Sequence, residues 1–141
     1  MRTKLPPGRI EFLRSVRLFR SLRDEQLAAL DRCLTDVSVP AGRVLTQEGA
    51  AGREAFVVVR GQASVQIGSS LIVRLGPGEL IGELALIDLS PRNATVVADT
   101  DMDLLVLDVA GFRSMLRDET VNHRVMSSIA QRLRKAEAVA S

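Results

Sequence analysis

Tyrosine and tryptophan are absent from this 141-residue chain, and four phenylalanines supply all of its aromatic rings. A platform for unpaired bases needs aromatic faces, so single-stranded nucleic-acid binding has little support. There is one cysteine, Cys33, and one histidine, His123. The first excludes an internal disulfide and cysteine-rich zinc sites. The second excludes multi-histidine metal centres. No apolar run is longer than Ala55 to Val59, whereas a membrane helix takes about 20 residues, so no membrane span is expected. The basic N-terminus is followed by no apolar signal-peptide core, which leads us to expect a cytoplasmic chain.

What is present suffices for one packed core. Hydrophobic residues make up 46% of the chain, and its length fits a single domain without metal or disulfide staples. The formal charge of +2 conceals an uneven distribution. Residues 1–23 carry seven Lys/Arg and one acid, residues 24–112 six and thirteen, and residues 113–141 six and three. Two basic ends thus flank an acidic middle. They are either solvated helix faces or surfaces for an anionic partner. Without a recognition helix, duplex binding through them would be weak and salt-dependent, so no specific nucleic-acid recognition is expected.

Residues 1–8, with Pro6, Pro7 and Gly8, read as a flexible basic tail, and residues 9–141 as one domain. Ile10, Leu13 and Val16 give Arg9 to Arg17 a helical period. Ser21 and Asp24 fit a capping box, ahead of a helix that places Leu27, Leu30 and Leu34 on one face. From about residue 36 to 108 the pattern changes to short β-rich runs: Val37–Val39, Val44–Thr46, Phe56–Val59, Ser64–Ile67, Leu71–Leu75, Thr95–Ala98 and Leu104–Leu107. Glycines and prolines punctuate them, Gly52 among them, and Gly68-Ser69-Ser70 reads as a hairpin turn. Helical spacing returns over residues 109–138, first in Val109 to Leu116 with Phe112, then from Val121 to about Ala138. In the second helix Val125, Ile129 and Leu133 recur every four residues. The expected fold class is α+β: an eight-stranded antiparallel β-roll, or jelly roll, flanked by N-terminal and C-terminal helices.

One interval breaks the strand rhythm. Gly82 to Leu86 has the length of a single helical turn, and free N–H groups at such a start can hold a phosphate. Arg92 is the only Lys or Arg between residues 75 and 112, a window that also holds Glu79, Glu83, Asp88, Asp99, Asp101, Asp103 and Asp108. A lone cation there suits bidentate capture of one phosphate. It equally suits a structural salt bridge to one of those acids. Glu83, acceptor-only when ionised, can take a hydrogen bond from a sugar hydroxyl or simply be a solvated turn residue.

Gly82-Glu83-Leu84-Ala85-Leu86, followed by Pro91-Arg92-Asn93-Ala94-Thr95-Val96, resembles the phosphate-binding cassette of cyclic-nucleotide-binding domains. That family includes catabolite activator proteins, regulatory subunits of cyclic-AMP-dependent protein kinase and cyclic-nucleotide-gated channels. The resemblance extends to Leu18-Phe19 with Ser21-Leu22, Val39-Pro40-Ala41-Gly42, Glu48-Gly49, Phe56 to Gly61, and Leu75-Gly76-Pro77-Gly78, in the family's order. It implies that Glu83 binds the ribose 2′-hydroxyl and that Arg92 pairs with the exocyclic phosphate oxygens. It implies that backbone groups of Gly82, Leu84 and Ala85 line the pocket. Asn93 holds the position that tunes purine preference, where threonine often accompanies cyclic GMP and alanine or serine cyclic AMP. Asn93 departs from both, and cyclic AMP is expected because no threonine is present. In the family the terminal helix closes over the base, which makes Ile129, Arg132 and Leu133 candidate caps; the same stripe also suits core packing or a homodimer contact.

The function expected is thus a regulatory sensor, with no cofactor, whose ligand is cyclic AMP or cyclic GMP and whose terminal helix moves an unidentified effector. The alternative is a degenerate domain that keeps the roll and serves only as a protein-interaction module. Enzymatic hydrolysis would need a metal or a positioned base to activate water. His123 alone on a terminal helix does not supply it, and Ser69, Ser70 and Ser90 lack an evident base partner.

Overall fold

The computed structural model describes residues 8–20, 22–82, 91–123, 126, 127 and 130. Helix α1 (Arg9–Ser15) leads through a 3-10 turn (Arg17–Phe19) into α2 (Asp24–Asp31). Eight strands follow among the described residues: β1 (Leu34–Val39), β2 (Val44–Thr46), β3 (Glu54–Arg60), β4 (Ala63–Ile67), β5 (Ser70–Leu75), β6 (Leu80–Ile81), β7 (Thr95–Ala98) and β8 (Met102–Asp108). Helix α3 (Val109–Met115) comes next, and residues 119–123 are again helical. Every strand pairing is antiparallel, in two four-stranded sheets ordered β1-β8-β3-β6 and β2-β7-β4-β5. This is the expected β-roll with flanking helices.

The unbroken apolar run Ala55 to Val59 explains why the layers stack as they do. Successive residues of a strand face opposite sides, so a strand without alternation must be covered on both. Ala55, Val57 and Val59 of β3 join Leu105 and Leu107 of β8 under the helices, against Leu13, Leu18, Phe19, Leu27, Leu30 and Phe112. Phe56 and Val58 turn the other way and meet Leu104, Ala63, Val96 and Ala98 between the two sheets. One sheet therefore serves two cores, and β3 and β8 are its shared wall.

Short connections keep the strands in register. Gly61, at φ +95°, turns β3 into β4; a methyl there would sit 2.5 Å from the Asp101 carbonyl oxygen, so both backbone angle and crowding require glycine. The Gly68-Ser69 turn joins β4 to β5 as expected. The turn before β6 is tied to β3, with Gly78 N donating to Val58 O and Val58 N to Glu79 O.

The entry helices differ in detail from the sequence reading. Helix α2 starts at Asp24 with Arg23 as its N-cap, and Gln26 Oε1 accepts from Arg23 N at 2.9 Å; Ser21, the expected cap, lies outside the described residues. Asp24 instead pairs with Arg14. Leu34 is the first residue of β1, not the last of the helical stripe, and it packs on the same core from the sheet side. The roll accordingly starts at residue 34. The two-residue β6 is absent from the expected runs because so short a strand shows no alternation. The basic N-terminal stretch is partly neutralised within the fold: Arg9 pairs with Asp31 and Asp36, and Arg23 with Glu25. Residues 1–7, which include most of the basic tail, lie outside the described residues.

Leu105, fully buried in the helix-side core, is a direct test of this packing. Leu105→Ala is expected to lower unfolding free energy by about 2–5 kcal/mol, read as a shift of the urea midpoint at unchanged slope.

Candidate functional site

The lone cation of the acidic window is fixed first through its main chain. Gly49 N donates to Arg92 O and Arg92 N donates to Ala50 O, each at 2.8 Å. Two further bonds flank this pair: Thr46 Oγ1 donates to Ala94 O at 3.0 Å and Glu48 N to Thr95 Oγ1 at 2.9 Å. The β2–β7 ladder thus continues past the strand ends. It clamps residues 46–50 to residues 92–95, and Arg92 cannot slide along the chain.

The guanidinium runs from this clamp toward the start of β3. Its Nη2 donates to the backbone carbonyl of Glu54 at 2.7 Å. Its Nη1 is buried and has no hydrogen-bond partner among the described residues. Two glycines lie against it. A methyl on Gly52 would overlap Nε and Cζ and sit 2.7 Å from Cδ. One on Gly82 would overlap Nη1 and lie 3.2 Å from the Glu54 carbonyl oxygen. Gly82 also has φ +77°, a conformation that side chains rarely adopt. Burial lowers the proton affinity of the guanidinium, and the nearby Glu54 charge partly restores it. The group nevertheless stays a cation at neutral pH, because arginine does not deprotonate in proteins.

The described acids that the sequence offered as salt-bridge partners are engaged elsewhere, while Glu83 and Asp88 lie outside the described residues. Asp99 accepts from Ser64 Oγ at 2.6 Å and pairs with Arg74. Asp101 accepts from Ala41 N, Asp103 from Ser38 Oγ, Asp108 from Ala110 N, and Glu79 from Gly76 N. Among the described residues Arg92 therefore presents, at Nη1, a buried donor with no partner beside a left-handed glycine. Charge-assisted hydrogen bonds to a planar fork are the natural use of such a group, and an oxyanion is the natural acceptor.

The structure brings Gly82 and Arg92 together, and Asn93 stands exposed beside them. Glu83, Leu84 and Ala85 of the expected cassette lie outside the described residues, as do the expected base caps Ile129, Arg132 and Leu133. Sequence reasoning treated Gly52 as turn punctuation and gave the Glu54 carbonyl no role. A contact across some 40 positions to a main-chain oxygen or a bare Cα leaves no local pattern, and only the fold exposes it. Among the described residues no cluster of His, Cys, Asp and Glu is placed to hold a metal ion. No described helix is long and apolar enough to cross a membrane.

Comparisons with known proteins bear on the same segment. Residues 36–119 match the family model of the cyclic nucleotide-binding domain. The chain is 40% identical over 105 residues to a cyclic nucleotide-gated potassium channel from Mesorhizobium japonicum, covering 74% of this chain and 29% of the channel. It thus spans under a third of that relative's length. Its fold is similar to the N-terminal domain of a transcriptional regulator from Streptomyces coelicolor, with TM-score 0.77, 35% identity, and coverage of 89% of this chain and 94% of that one. The regulatory domain of Toxoplasma gondii PKA, crystallised with cAMP, superposes with TM-score 0.73 and 29% identity over 87% of this chain and 50% of that one.

Partial burial disfavours the Arg92 charge in the free protein, and the nearby Glu54 charge offsets only part of that cost. This cost holds across the neutral range, because a cation with a lowered proton affinity is disfavoured wherever it is protonated. Arg92→Ala is therefore expected to unfold cooperatively at a midpoint no lower than wild type, monitored by circular dichroism during heating.

Proposed function

The chain belongs to the cyclic nucleotide-binding domain family, and from that membership we propose that it is a regulatory sensor that binds a cyclic nucleotide rather than an enzyme that turns one over. The observation that carries this reading is the Arg92 guanidinium, clamped at its backbone, held at Nη2 and open at a buried Nη1. A cyclic nucleotide carries one negative charge on its phosphodiester, matched to one cation. Arg92 takes the exocyclic oxygens. The backbone of Gly82, Leu84 and Ala85 lines the sugar-phosphate pocket, and Glu83 accepts from the ribose 2′-hydroxyl.

Cyclic AMP is the preferred ligand in this proposal. Support comes from the similar PKA regulatory domain, crystallised with cAMP, and from the absence of threonine at position 93. Asn93, exposed next to the site, sets the base preference. Ligand binding repositions the terminal helix, with Ile129, Arg132 and Leu133 as candidate caps on the base. The helix transmits binding to an effector protein or domain, or across a homodimer, in the cytoplasm. Such coupling requires the helix positions to differ in ligand affinity.

Calorimetric titration with cyclic AMP and, in parallel, cyclic GMP is the decisive test. Saturable heat with cyclic AMP the tighter ligand is expected, and at about 100 times the dissociation constant the ligand should add roughly 2.7 kcal/mol of stability. No heat and no thermal shift with either ligand would leave the roll as an interaction module. Arg92→Ala should abolish most of the affinity while the fold persists. Glu83→Ala should bind ribose and 2′-deoxyribose cyclic nucleotides alike, whereas wild type should favour the ribose form.

A further inference from the structure

We infer that Gly52 is a positioning residue for Arg92: its bare Cα is the floor on which the guanidinium lies, and any side chain there moves the cation away from the phosphate. This inference rests on the cyclic-nucleotide reading of the site. Among the described glycines, Gly8, Gly42, Gly49, Gly61, Gly68, Gly78 and Gly82 have positive φ, and their backbone conformation alone accounts for glycine. Gly52 does not. Its backbone suits any residue, yet it is buried, and a methyl on it would meet Nε, Cζ and Cδ of Arg92. Its crowding is with the far part of one flexible side chain and not with main chain. The fold can therefore absorb a substitution that the site cannot.

The direction of the displacement follows from the other restraints. Arg92 cannot retreat at its backbone, which is bonded to Gly49 and Ala50. It cannot move toward Gly82, whose Cα already stands against Nη1. A methyl at position 52 therefore forces the guanidinium to rotate, which breaks the Nη2 bond to the Glu54 carbonyl and withdraws Nη1 from the ligand side. Glycine at 52 and glycine at 82 form the two walls of a slot, one required by space alone and the other by space and backbone angle.

The test is Gly52→Ala in the full chain, with three readouts. These are calorimetric titration with cyclic AMP, thermal unfolding, and the Nε–H resonance of Arg92 in nitrogen-15 spectra, identified by its loss in Arg92→Ala. The expected result is a dissociation constant raised about tenfold or more, an unfolding midpoint within about 2 °C of wild type, and a displaced Arg92 Nε–H resonance. If wild type binds and Gly52→Ala binds within about twofold of it, the inference is overturned. A loss of affinity with the Arg92 resonance unmoved also overturns it, because Gly52 would then act by another route. Wild type failing to bind either cyclic nucleotide refutes the sensor reading instead, and the resonance comparison still decides whether Gly52 places Arg92.

Discussion

The reciprocal main-chain pairing of Arg92 with Gly49 and Ala50 is the constraint on which the site depends. It converts a loop arginine into something close to a ladder residue, with a fixed Cα and a fixed departure angle. Long cationic side chains ordinarily carry considerable rotamer entropy, and ordering one at the moment of binding weakens the complex. Here the cost is met during folding. The clamp fixes the base of the side chain, Gly52 supports its middle, and the Glu54 carbonyl holds one tip. Among the described residues, the buried donor group left without a partner is Nη1. Recognition thus draws on a cation already held in place rather than on a mobile charge.

That arrangement stands on the double core. Because β3 is buried on both faces, its start at Glu54 is anchored by contacts with the helices and with the opposing sheet. The carbonyl that orients Arg92 is therefore part of the strand shared by both cores, while the clamp that holds the backbone belongs to the other sheet through β2 and β7. The guanidinium bridges the two sheets at their edge.

Much of this was legible in the sequence, and the limits have physical causes. The β-rich run Phe56–Val59 marked a strand and Gly61 its end, whereas the burial of both its faces emerges only in the fold. Arg92 stood out because no other cation falls in a long acidic window. Leu34 misled because a leucine four residues beyond Leu30 continues a helical stripe, although the chain has already turned into β1 and presents that leucine to the same core from the sheet. The partner of Arg92 was illegible for another reason. Sequence displays side chains, so carboxylates were the obvious candidates, whereas the fold uses a main-chain oxygen and occupies the described carboxylates elsewhere. Gly52 was visible as a glycine, but its purpose lies in a contact made 40 residues away.

The two walls of the slot also differ in how they would fare once binding no longer mattered. Gly82 is held by its left-handed backbone, so folding alone would preserve it through long sequence drift. Gly52, with an unconstrained backbone and only a flexible side chain above it, has no such protection. In a lineage that abandoned its ligand, position 52 would be free to vary while position 82 stayed glycine and the roll stayed folded. Glycine at 52 beside arginine at 92 would therefore mark a chain that uses this fold for an anion, where glycine at 82 marks only its shape.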